Sequence, residues 1–194
     1  MFDFNEEFSR LLEAMEGDVE RQALLLVAGE AGLRQGEIIA LEWGDVDLVA
    51  GTLTARRSSW RGHLGSPKSG RDRKIPLTKR LAAALKAARH LRSELVFCYP
   101  YGQPFTRSAI EAALRYACKL AGLRRIGSHV LRHPFCSHLA MRGAAPKAVQ
   151  DQAGHSTLTM TLRYMHLAPS ALREAIGLLD DVGQPVGSGE AAAV

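Results

Sequence analysis

Apolar residues recur at helical spacing through the first part of the chain, as Leu11, Leu12 and Met15 and then as Leu24, Leu25, Val27 and Ala28. Gly17-Asp18 interrupts them, which predicts two helices, over 6–15 and 19–31, the second ending near Gly32. A short third helix over 35–41 would turn Ile38, Ile39 and Leu41 inward. From 45 to 77 the pattern changes. Thr52-Leu53-Thr54-Ala55 alternates, and Lys74-Ile75-Pro76-Leu77 follows a polar Gly/Ser/Pro stretch over 58–70. This predicts a small antiparallel sheet with a long basic hairpin loop and Pro76 at an edge or strand end. Thr78 and Thr106 look like N-caps, followed by Leu81, Leu85 and Ala88 and by Ile110, Ala113, Leu114, Ala117 and Leu120 at helical intervals. Ser128 is the expected cap of a further helix that packs Val130, Leu131, Phe135 and Leu139 inward. Short helices are expected over 146–152 and 158–164, then an amphipathic one over 169–179 with Pro169 in its first turn. The Gly/Ala-rich residues 183–194 are expected to form a disordered tail, leaving one domain over 1–182.

With 46% hydrophobic and 23% charged residues among 194, the chain is expected to fold as a mainly α, α+β globular domain, which excludes disorder throughout. Its 25 Lys and Arg against 20 Asp and Glu suit a phosphate-rich partner, an argument that gains weight only if the cations share a face. Cys98, Cys118 and Cys136 are odd in number and lack C-x-x-C spacing, so they read as reduced core thiols. His129 and His133 have a metal-binding spacing, but no HExxH pattern or cysteine partner accompanies them, and no metal is expected. The longest apolar stretch, 23–28, is too short to cross a bilayer, and a cytoplasmic, nucleoid-associated protein is the expectation.

Four pieces carry candidate chemistry: Gly32-Leu33-Arg34-x-x-Glu37; Lys68 with Arg73 after it; His129-x-x-Arg132-His133; and Gly154-His155 with Tyr164 following. Each has a bland explanation alone. Arg34 could cap a helix, Glu37 could be a surface charge, Lys68 a solvated loop lysine, and Tyr164 a core aromatic like Tyr116. Together, and in this order, they resemble the catalytic domain of the tyrosine recombinase (phage integrase) family. GLRQGEIIALEW, HVLRH and AGHSTLTMTLRYMH carry the resemblance, which runs from about Gly29 to His166.

The resemblance implies a helical catalytic domain with a small antiparallel sheet, whose pocket forms where the sheet loop meets the histidine-bearing segments. It implies cleavage and rejoining of double-stranded DNA through a 3′-phosphotyrosyl link to Tyr164, with no cofactor. The chemistry is coherent without a metal. A tyrosine hydroxyl of pKa about 10 is only about one part in a thousand ionised at neutral pH, so it needs a base. The extra negative charge of the pentacoordinate phosphorane suits planar guanidiniums, which Arg34 and Arg132 supply. By analogy with the family, Lys68 protonates the departing 5′-oxygen, His129 is base or phosphate ligand, His155 donates a hydrogen bond to the phosphate, and Glu37 orients its neighbours. Arg61, Arg71 and Arg73 are phosphate-positioning residues or simply face solvent. His133, with His138 and His166, is structural or phosphate-adjacent. The helix over 168–179 would dock into a neighbouring protomer in a tetrameric synapse. The N-terminal core-binding domain usual in the family is expected to be absent, leaving a catalytic half, a natural truncation or a minimal member. Two positions depart from the pattern: Pro134 stands where a small hydroxyl residue is usual, and Gln152-Ala153 where an apolar pair is usual. A proline there implies that its helix begins later or kinks. The rival readings are a DNA-binding relative without catalysis, a type IB topoisomerase-like enzyme, and a metal-dependent nuclease.

Overall fold

A computed structural model describes residues 6–67 and 70–165. The described residues form eight α-helices, one short 3-10 helix (Trp43–Asp45) and five short strands. Three helices come first: α1 (Glu6–Glu13), α2 (Val19–Gly29) and α3 (Gln35–Ile39). Five strands follow: β1 (Val46–Asp47), β2 (Thr52–Ala55), β3 (Ser58–Trp60), β4 (His63–Gly65) and β5 (Arg73–Pro76). The remaining helices are α4 (Lys79–Ala87), α5 (Arg107–Leu120), α6 (Ser128–Met141), α7 (Pro146–Ala153) and α8 (Leu158–Met165). The mainly helical class with small antiparallel sheets is the one the sequence predicts.

Helix α2 is the centre of the molecule. Asp18 caps it by accepting from the Arg21 amide, and every residue from Ala23 to Gly29 is buried, so the helix beyond its first turn is covered on all sides. It packs against α1, α3, α4 and α6. Gly29 permits the approach of α1, because a Cβ there would stand 2.5 Å from the Phe8 ring. Thr78 and Thr106 cap α4 and α5 as expected, accepting from the Leu81 and Ala109 amides. At α6 the cap is Gly127 and Ser128 is the first helical residue, so the helix begins one position earlier than the sequence suggests.

Strands β1, β2 and β5 form an antiparallel sheet in that order, pairing Leu53 with Ile75 and Ala55 with Arg73. Pro76 ends the edge strand β5, where its missing amide costs no ladder bond. The expected open loop between β2 and β5 is partly structured, because β3 and β4 form a second hairpin within it. That hairpin lies on α3, where a Cβ at Gly36 would meet the Ser58 hydroxyl at 2.5 Å and the Ser59 carbonyl at 2.6 Å.

A second, smaller apolar cluster joins α6, α7 and α8: Phe135, Cys136, Val149 and Ala153, with Leu139, Tyr164 and Met165 packed on it. Helix α6 begins at Ser128 and continues through Pro134, so its start is not delayed past the proline. All three cysteines are free and buried. Lys68, His166, the expected helix over 169–179 and the tail 183–194 lie outside the described residues. No described helix is long and apolar enough to cross a membrane.

Candidate active site

Arg34 stands at the N-cap of α3 in an extended conformation. Its amide donates to Glu37 Oε2 at 2.8 Å and its Nη1 to Glu37 Oε1 at 3.0 Å, so a single turn of helix ties the arginine to the carboxylate. Glu37 is only 1% exposed, which rules out a surface role. Arg73 closes on the same carboxylate from β5 with a two-pronged pair, Nη1 to Oε1 at 2.8 Å and Nη2 to Oε2 at 2.7 Å. The reading of Arg73 as a loop cation facing phosphate or solvent is therefore corrected: it is a buried strand residue whose guanidinium is occupied by Glu37. Burial alone would raise the Glu37 pKa. The hydrogen bonds and charges of Arg73 and Arg34 outweigh it and hold the carboxyl below its usual range.

The last turn of α7 gathers these arginines. Three successive carbonyls each accept from a different guanidinium: Gln152 from Arg73 Nε at 3.0 Å, Ala153 from Arg132 Nη2, and Gly154 from Arg34 Nη2 at 2.6 Å. Helix ends leave such carbonyls without intrahelical donors and carry partial negative charge, so cations suit the position twice over. Gly154 makes the turn in the left-handed region, φ +63°, where a Cβ would stand 2.9 Å from Arg73 Nη1. Arg132 also donates to the Gly32 carbonyl. Burial, with the nearby charge of Arg34, lowers the Arg132 pKa to about 10, against the pull of Glu37, and leaves it protonated at neutral pH. Three guanidiniums against one carboxylate leave a surplus of positive charge, the electrostatic condition for holding an anion.

His155 follows Gly154. Its Nδ1 lies 2.9 Å from Thr161 Oγ1 and its ring stacks on Tyr164, with centroids 6.1 Å apart and planes 13° from parallel. Burial, and then the charges of Arg132 and Arg34, push its pKa down to about 4, so the ring is neutral at physiological pH with Nδ1 engaged. Tyr164 is half-buried on α8, its hydroxyl 2.6 Å from His133 Nδ1. Burial raises the phenol above its ordinary pKa.

The structure thus brings Arg34, Glu37, Arg73, Arg132 and His155 into one network, with Tyr164 and His133 attached through the His155 ring. His129 is exposed and lines a neighbouring groove of about 770 Å³ with Arg34, Trp60 and Arg107. Arg71 is exposed on a second groove of about 530 Å³, beside Lys74, Lys147 and His155. Arg61 occupies the β3–β4 turn at φ +50°, its guanidinium 5.8 Å from the centre of the Trp60 ring system.

Sequence reasoning gave one residue the wrong role and missed another. Arg73 pairs with Glu37, and the strand period carried the signal, since Arg73 and Ile75 share a face and Ile75 points inward. Arg107 donates to Gln35 Oε1 at 2.8 Å and lies 4.9 Å over Trp60. Its signal was a cation directly after the Thr106 cap, where the helix dipole disfavours positive charge.

The family model described as "Phage integrase family" matches residues 4–171. Tyrosine recombinase XerC of Xylella fastidiosa is 31% identical over 151 residues, which cover 75% of this chain and 48% of that protein. The chain spans about half the length of several curated relatives it matches. The crystal structure of XerA recombinase superposes with a TM-score of 0.74 at 28% identity, over 92% of this chain and 65% of that one. The catalytic domain of bacteriophage HP1 integrase shares the fold, with a TM-score of 0.67 at 24% identity over 94% of this chain and 98% of that one.

Proposed function

The chain belongs to the phage integrase family, and from that premise we propose that it cuts and rejoins double-stranded DNA by metal-independent transesterification, with Tyr164 as the nucleophile. One observation carries the proposal: the Tyr164 ring stacks on His155, the residue directly after the carbonyls that hold three arginines. A phosphate set against Arg34 and Arg132 would lie within reach of the phenol, and their free N–H groups would take the charge that builds on its non-bridging oxygens. Glu37 and Arg73 hold Arg34 in place and stay off the substrate, since a carboxylate facing the phosphate would repel it. His155 donates from Nε2 when Thr161 occupies Nδ1. His129, on the groove beside Arg34, contacts the phosphate, and Lys68 protonates the departing 5′-oxygen. Arg61 and Arg71 contact the DNA backbone outside the scissile position. The bond energy kept in the phosphotyrosyl link makes rejoining independent of a nucleotide cofactor. Joining two sites requires several protomers on DNA, and the family resemblance supports the segment over 168–179 as the exchanged element of a tetramer. Work on chromosomal DNA would locate the chain at the nucleoid.

Short nicked duplexes with a randomised interior, incubated with the protein in EDTA, test the reading. The expected result is a denaturation-resistant adduct on the tryptic peptide containing Tyr164, abolished by Tyr164→Phe. No adduct, or one that requires a divalent ion, would overturn it. Joining of two duplexes, as opposed to closure of one, then separates recombination from topoisomerase-like relaxation.

A further inference from the structure

Resting on that assignment of Tyr164, we infer that His133 is the base that takes the nucleophile's proton. The direct observation is the 2.6 Å approach of His133 Nδ1 to the Tyr164 hydroxyl. It is held from both sides: α6 packs on α8, and Tyr164 rests on the cluster formed by Phe135, Cys136, Val149 and Ala153. His129, one turn earlier on the same helix, faces the groove beside Arg34.

Protonation fixes the direction of the contact. Burial, with the charges of His129 and Arg132 on the same helix, lowers the His133 pKa, so the ring is neutral at physiological pH. Across from it stand Tyr164 on α8 and the neutral His155. A neutral ring with its lone pair on Nδ1 accepts from the phenol and keeps its own hydrogen on Nε2. In the step itself the Tyr164 proton moves to His133 Nδ1 as the oxygen–phosphorus bond forms. The bond from phosphorus to the 5′-oxygen breaks, and that oxygen takes a proton from the acid assigned to Lys68. Rejoining returns the proton from His133 to the phenol.

The test uses the duplexes recovered as adducts with the wild-type chain, at saturating DNA and single turnover. His133→Gln keeps an acceptor near the phenol but cannot carry a proton at neutral pH. It should slow adduct formation by about 10²- to 10⁴-fold, leave DNA affinity within about twofold, and lose the part of the pH–rate profile that rises toward neutrality. Imidazole added to His133→Ala should restore part of the rate, a recovery that a merely structural histidine would not give. Replacing the bridging 5′-oxygen with sulfur removes the need for the acid, so it should rescue Lys68→Ala and leave His133→Gln slow. A His133→Gln variant as fast as wild type, or faster, would overturn the inference and leave the role of Tyr164 intact. Absence of adduct with the wild type would instead remove the reading on which it rests.

Discussion

Glu37 is the side chain on which the site's charge balance turns. It is buried, it accepts from two arginines, and its negative charge opposes the mutual repulsion of Arg34, Arg73 and Arg132. Removing one partner of such a buried arrangement leaves uncompensated charge and costs about 3–5 kcal/mol. Glu37→Ala should therefore lower the unfolding free energy by that amount, read from urea titration, and also weaken anion binding, because Arg34 and Arg73 lose their anchor. The carboxyl is held below its usual pKa, so its stabilisation is complete above about pH 4.5 and fades as pH falls through the depressed value. Urea midpoints of wild type and Glu37→Gln at falling pH should converge over that range. At this scale the sequence was partly legible. Arg34, Arg132, His155 and Tyr164 stand out through family spacing, whereas the partner of Glu37 does not, since a contact between residues 37 and 73 depends on how β5 is laid over α3. His133 was legible as a residue near the site but not as the neighbour of the Tyr164 hydroxyl, which needs α6 and α8 in register.

Among the elements, α6 carries the clearest conflict between local propensity and position. Pro134 lies inside it, removes the amide that would serve the Val130 carbonyl, and is tolerated although both flanking residues, His133 and Phe135, belong to the site or its core. Pro134→Ala restores the donor. With about 3 kcal/mol separating Pro from Ala in a helix interior, and some packing lost, a gain of about 1–2 kcal/mol in unfolding free energy is expected by denaturant titration. An unchanged midpoint would mean that the helix geometry already absorbs the proline. Helices were the most legible elements, because spacing and caps such as Thr78 and Thr106 report on them locally. The β3–β4 hairpin was not legible: Ser58–Trp60 and His63–Gly65 show no apolar alternation, and their pairing is supported by contact with α3.

Over the whole molecule, basic residues collect around the two grooves that flank the arginine network, with Arg107 and Arg34 on one and Arg71, Lys74 and Lys147 on the other. On the second groove Asp72 and Asp151 offset part of this charge, with Lys147 paired to Asp151 at 2.7 Å. Binding of duplex DNA should weaken steeply with salt, and each backbone contact removed should reduce the slope of log K against log salt by about 1. Arg61→Gln and Arg71→Gln are each expected to do so while leaving the adduct rate at saturating DNA unchanged, measured by fluorescence anisotropy and single-turnover cleavage. An unaltered slope would place that arginine outside the DNA path.

The end of α7 offers the arginines only main-chain oxygens, and a main-chain oxygen is indifferent to the side chain borne by its residue. Position 152 can hold glutamine in place of something greasier without disturbing the grip. Phase is another matter: one residue inserted into α7 would swing these oxygens by about 100° around the helix axis and unhook Arg34, Arg73 and Arg132 at once. The site can drift in composition there, but not in length.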